Sequence, residues 1–116
     1  MKSSKELISY HQALNKRTWR TLQENGLRSD QEVELDFFYY CTDNKDANLL
    51  KNFLESETDY EVSVRPAPDG SDEEWSVVGK TRKTAISPEI LDEWVEWMIL
   101  AGQEFKCEFD GWGTEV

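Results

Sequence analysis

The chain has 116 residues and a net charge of −11, enough length for one domain with a real core and a strongly acidic balance. That balance argues against direct binding to nucleic acid, which needs Lys and Arg to replace counterions along the phosphates. One histidine and two cysteines argue against a metal site, and no run approaches the ~20 apolar residues that span a bilayer.

The charge is unevenly spread. Residues 1–32 hold six basic and four acidic side chains, whereas residues 33–116 hold seven basic and twenty acidic, a net of −13. An N-terminal element set against an acidic body is implied, and such a body suits a basic protein partner, since complementary charge speeds encounter. Solubility alone is the plainer account of the same acidity. The N-terminus carries no apolar signal core, so a cytoplasmic protein is expected, with Cys41 and Cys107 as buried, reduced thiols.

Ser3 to about Gln23 reads as a helix, with Leu7, His11, Leu14, Thr18 and Leu22 at helical spacing and Gly26 at the position of a C-terminal cap. His11 lies on that stripe and reads as a packed side chain. Val33–Cys41 is a strand that begins in clean alternation and ends apolar on both faces, which predicts a central strand with its second face partly covered. Thr42-Asp43-Asn44 turns into a helix from about Lys45 to Ser56 that buries Ala47, Leu50, Phe53 and Leu54.

Tyr60, Val62 and Val64 alternate with Glu61, Ser63 and Arg65 in a second strand, which the loop from Pro66 to Asp72 ends. Trp75 to about Thr84 is the third strand. Ser87-Pro88 starts a helix through Leu91, Trp94, Val95, Met98 and Ala101, with Gly102 as its stop. A fourth strand, Glu104–Phe109, follows.

The order after the first helix is β-α-β-β-α-β. It predicts an α+β, ferredoxin-like α/β sandwich with antiparallel sheet order 4-1-3-2 and both helices on one face. Residues 1–32 form an additional helix and linker packed on the body of residues 33–116, within a single domain overall. The helix can cover the open sheet face through Leu7, Leu14 and Leu22, or pack at its edge, and cover is the favoured expectation.

No nucleophile–base pair, phosphate-binding glycine loop or metal set is legible, so no catalytic residue and no cofactor is expected. Aromatics on a central strand also occur in RNA-binding sheets, but Trp75-Ser76-Val77-Val78-Gly79-Lys80 lacks the basic-aromatic RNA motif. Lys80, Arg82 and Lys83 form a basic cluster that reads as a solvated hairpin end, or as one neutralised by Asp72-Glu73-Glu74. Asp92, Glu93 and Glu96 can share a helix face, but without a cleft they serve solubility and the helix dipole.

The last strand runs into Glu108-Phe109-Asp110-Gly111-Trp112-Gly113, an aromatic held between two glycines, each of which can take backbone angles that other residues avoid. Trp112 either folds back to plug the end of the core or stands out as an anchor for a partner.

Phe109-Asp110-Gly111-Trp112-Gly113-Thr114, at the end of a β-α-β-β-α-β chain, resembles the RraB family, regulators that inhibit bacterial ribonuclease E. Looser similarity extends over Phe37–Cys41, the Ala47–Leu54 helix, Tyr60-Glu61-Val62 and Trp75–Lys80. The resemblance implies an acidic cytoplasmic protein of ferredoxin-like fold that regulates RNA decay by protein contact, not catalysis. It implies a partner such as a ribonuclease E-like endonuclease or its basic scaffold segment, with Glu108, Phe109, Asp110, Gly111, Trp112 and Gly113 as the interaction or structural motif. Well-studied family members continue into a strongly acidic tail, whereas Thr114-Glu115-Val116 follow the motif here, so the resemblance implies the fold more firmly than inhibition. The competing expectations are an enzyme or small-ligand domain on the same scaffold, and a structural domain that self-associates through its open sheet face.

Overall fold

A computed structural model describes residues 3–28, 31–66 and 74–114. Helix α1 (Ser4–Glu24) is followed by β1 (Glu32–Val33), β2 (Asp36–Cys41), α2 (Asn44–Glu57), β3 (Glu61–Pro66), β4 (Trp75–Lys80), β5 (Thr84–Ala85), α3 (Pro88–Glu104) and β6 (Cys107–Gly113). The architecture is α+β, with three helices and two antiparallel sheets. The larger sheet has the order β3-β4-β2-β6, and β1 pairs with β5 in the smaller one. Most of the loop expected from Pro66 to Asp72 falls at residues 67–72, outside the described residues.

Local chemistry explains the helix ends. Ser3 accepts a hydrogen bond from the Glu6 N–H, Asp43 from Lys45 and Ser87 from Ile90, each satisfying a backbone donor in a first turn. Gly26, at φ +103°, ends α1: the Leu27 N–H returns to the Leu22 carbonyl at 2.9 Å and the Gly26 N–H to Gln23 at 3.2 Å. This is a Schellman closure, and Leu22 and Leu27 are buried in one cluster with Val33, Leu35, Ile86 and Leu91.

Gly102 does not stop the last helix, which continues to Glu104. A Cβ at Gly102 would sit 2.6 Å from the Tyr39 ring and 2.7 Å from the Cys107 carbonyl, so this glycine is there for close approach. The chain reverses instead at Phe105 and at Lys106, whose φ is +59°.

The two long expected strands each break in two. Val33–Cys41 resolves into β1 and β2, and Trp75–Thr84 into β4 with β5 beyond it. The break is shared, because the Thr81 hydroxyl accepts the Leu35 N–H at 3.0 Å while the Thr81 N–H donates to the Leu35 carbonyl at 2.9 Å. A side-chain oxygen thus stands in for a ladder carbonyl, and pairing resumes as β1 against β5.

The main core lies between the larger sheet and the helices. Phe37, Tyr39 and Cys41 meet Leu50 and Leu54 of α2 and Val95, Met98 and Ile99 of α3. The second face of β2 is open: Phe38 and Tyr40 are 43% and 38% exposed. The expected cover by the first helix does not occur. Its polar contacts tie α1 to α3 and the edge strand β6, through Ser4 with Gln103 and His11 with Phe109. His11 is buried, and its Nε2 donates to the Phe109 carbonyl at 3.2 Å, which caps part of the unpaired edge of β6.

Cys41 and Cys107 are not separate thiols. They lie directly opposite in the β2–β6 register with Cα atoms 4.6 Å apart, and form a disulfide. That separation belongs to a non-hydrogen-bonded antiparallel pair, where side chains come closest, and sequence reading could not place the two strands in that register.

Candidate functional site

The terminal turn is built on a β-bulge. Tyr39 pairs with Phe109 and Phe38 with Gly111, so Asp110 has no opposite number. The extra residue reverses the phase of the strand. Phe109 already faces the core, and in an unbroken strand Trp112 would point to the open face. With Asp110 looped out, Trp112 lies opposite Phe37 on the core side. Gly111, at φ +143°, supplies the backbone angle that this requires. Gly113 has no positive φ and open space around it, so only one of the two glycines aims the ring.

Trp112 is half-buried, and packs edge-on to Trp94 with ring centres 6.4 Å apart. Its Nε1 donates to Asn15 Oδ1 at 2.8 Å, and Asn15 Nδ2 donates to Asp92 Oδ1 at 3.1 Å. One buried amide thereby joins α1, α3 and β6. Sequence reading missed Asn15. Its signal was a spacing of four from His11, which puts both polar residues on the buried side of α1, with Leu14 and Thr18 only half-buried beside them.

Glu108 and Asp110 project from β6 as half-buried and exposed carboxylates, and Phe109 is in the core. The motif therefore combines core, turn and surface positions. Thr114 beyond it donates to the Glu34 carbonyl at 2.7 Å, fastening the end of the strand.

Trp94 links the turn to a cleft of about 290 Å³ lined by Leu35, Tyr60, Arg82, Lys83, Ile86 and Ile90 among others. Its Nε1 donates to the Tyr60 hydroxyl at 3.0 Å. Burial raises the Tyr60 phenol above its ordinary value and the Asp59 charge adds to this, while the Trp94 hydrogen bond opposes them. Tyr39 donates to the Met98 carbonyl at 2.6 Å, and its phenol is raised well above 10.0, by burial first and then by Tyr60.

The basic cluster is dispersed over carboxylates other than those expected. Lys80 lies 3.7 Å from Asp36 and Arg82 lies 4.0 Å from Asp59, all well exposed, while Asp72 and Glu73 are outside the described residues. Asp92, Glu93 and Glu96 do not converge: Asp92 is held by Asn15, and the other two are exposed on α3. Among the described residues, no group of His, Cys, Asp and Glu could hold a metal ion, and no helix is long and apolar enough to cross a membrane.

These features are a structural turn, an acidic helical face and a mixed cleft. A model of the family described as regulator of ribonuclease activity B matches residues 12–114. The chain belongs to the RraB family. The match takes in most of α1 together with the Asn15–Trp112 contact, so the added helix falls within the RraB region. No curated protein matches the chain.

Proposed function

We propose that this protein is a non-enzymatic regulator of RNA decay that works by binding a ribonuclease, with a basic segment of a ribonuclease E-like endonuclease as its target. The observation that carries the reading is the net charge of −13 over residues 33–116 in a chain of the RraB family. An acidic surface can compete with RNA for an arginine-rich segment, because both offer closely spaced negative charge. The partner belongs in the cytoplasm of a bacterium, and the regulator acts there with it, the Cys41–Cys107 bond being shielded from cytoplasmic reductants by its burial in the core.

The fold is read as ferredoxin-like, with β6, β2, β4 and β3 taking the places of strands four, one, three and two in one domain that includes residues 1–32. The Glu108–Gly113 motif is assigned a structural role, in which the bulge turns Trp112 inward to fasten α1 and Glu108 and Asp110 remain on the surface.

The test is capture of a ribonuclease E-like enzyme by the immobilised protein over a range of salt, with RNA cleavage followed in parallel. Binding that weakens as salt rises, together with slowed cleavage, supports the proposal. Failure to bind, or binding indifferent to salt, overturns it. A second reading, a small-ligand domain, rests on the cleft beside Tyr60 and Trp94, whose lining combines Leu35, Ile86 and Ile90 with Lys83 and the Arg82–Asp59 pair. Thermal stabilisation by small organic anions, lost in Arg82→Ala, would favour that reading.

A further inference from the structure

Helix α3 presents a face that the terminal turn does not use. Leu91, Val95 and Met98 point into the core, and Asp92 is turned to α1. Ile90, Glu93, Trp97, Leu100 and Glu104 recur at alternating intervals of three and four, so they form one outward stripe. Trp97 is 39% exposed and Leu100 is 49% exposed. Trp97 stacks on Phe53 of α2, with centroids 6.1 Å apart and planes 24° from parallel, and Phe53 leans in turn on Phe105. Between the two helices runs a shallow groove of about 350 Å³, lined by these rings with Leu100, Ala101 and Glu104.

The charge on α3 has one sign. Helix α3 contains five carboxylates and no basic residue. On the neighbouring α2, Lys51 is engaged by Glu55 at 2.6 Å. The open sheet face is mixed in sign, because the strand registers place Arg65 and Lys80 together with Asp36, Glu61 and Glu108 on the side of Phe38 and Tyr40. A basic partner therefore meets less opposition on α3 than on the sheet. A second copy of this chain does not fit, since twofold pairing would bring together two α3 helices that each carry five carboxylates and no basic residue to answer them.

We infer that the outward stripe of α3 is the docking site for a basic amphipathic helix of a protein partner. Two apolar residues of that helix sit over Trp97 and Leu100 beside Phe53, and its Arg or Lys side chains reach Glu93, Glu96 and Glu104. The ribonuclease reading supplies the identity of the partner, whereas the position of the site comes from the geometry of α3.

The probe is a synthetic helical peptide with arginines flanking a leucine stripe, compared with a shuffled peptide of the same composition that lacks the stripe. Affinity is read by fluorescence titration and the contact surface by amide chemical shifts. Expected are shifts on α3 and α2, with affinity lowered at least about tenfold by Leu100→Lys and by the double variant Glu93→Lys, Glu96→Lys. The loss in the double variant should shrink as salt is added. Both variants alter exposed positions, and unfolding midpoints near that of the parent chain establish that they remain folded.

Equal binding of the shuffled peptide, shifts confined to the Phe38–Tyr40 face, or self-association through α3 would each overturn the inference. Repeating the ribonuclease capture with Leu100→Lys separates this inference from the broader reading. Retained ribonuclease binding defeats the α3 site and leaves the regulator standing. Peptide binding on α3 without any ribonuclease binding does the reverse.

Discussion

The Trp112 indole donates to Asn15 at 2.8 Å, so a residue of the terminal strand is fastened to the first helix. The bond is half-buried, and the amide that accepts it also holds Asp92. Removing either partner leaves polar groups without a bond. Asn15→Ala should lower stability by about 1–3 kcal/mol, and Trp112→Phe, which keeps a ring but loses the donor, by about 1 kcal/mol. Urea unfolding of both single variants and the double variant measures their coupling. The double variant should cost clearly less than the sum of the singles.

The two glycines around Trp112 should behave differently. Gly111→Ala places a side chain at φ +143° and should cost about 1–3 kcal/mol. Gly113→Ala should stay within about 0.5 kcal/mol of the parent chain. Because the bulge directs Trp112 inward, Gly111→Ala should also change tryptophan fluorescence as the ring becomes wetter, while Gly113→Ala should not. Thermal unfolding and emission spectra of the two variants decide this.

The Cys41–Cys107 bond joins the edge strand to the central strand across 66 residues of sequence. In the chain-entropy description, closing a loop of that length stabilises the fold by about 4 kcal/mol. Reduction should lower the urea midpoint, with near-ultraviolet circular dichroism showing that the reduced chain is still folded at low urea. Thiol titration in denaturant should find no free thiol before reduction and both cysteines after it.

Alkaline pH should destabilise the fold through Tyr39. Its folded pKa lies well above the unfolded value near 10.0, so the native state keeps a proton that the unfolded chain releases. The stability contributed by neutral Tyr39 is therefore complete below pH 10 and falls as pH rises beyond it. Tyr60 acts in the same direction. Tyr39→Phe removes this dependence but also the hydrogen bond to the Met98 carbonyl, so it should be less stable at neutral pH and flatter against pH above 10. Denaturant midpoints measured from neutral to alkaline pH give both slopes.

Much of the architecture was legible in local pattern. The helix caps at Asp43 and Ser87 and the αL turn at Gly26 depend on a few neighbouring residues, and the alternation of Phe37, Tyr39 and Cys41 states which face is buried. Errors arose where one segment's fate depends on another. The break at Leu35 needs the Thr81 hydroxyl, 46 residues away, and Gly102 is needed for the Tyr39 ring, not for a helix end. Apolar side chains on both faces of β2 suggested a covered sheet, yet periodicity does not say whether cover exists.

The residues themselves determined the acidic body, the order of helices and strands and the terminal motif, because charge, period and turn chemistry are properties of short stretches. Only the tertiary structure decided that α1 lies on α3, that Cys41 meets Cys107, and that Trp112 turns inward to Asn15. Each of those depends on register. Inserting or removing one residue in an antiparallel pair reverses every later side chain, and the single bulged Asp110 does this where the sequence alone shows only a tryptophan between two glycines.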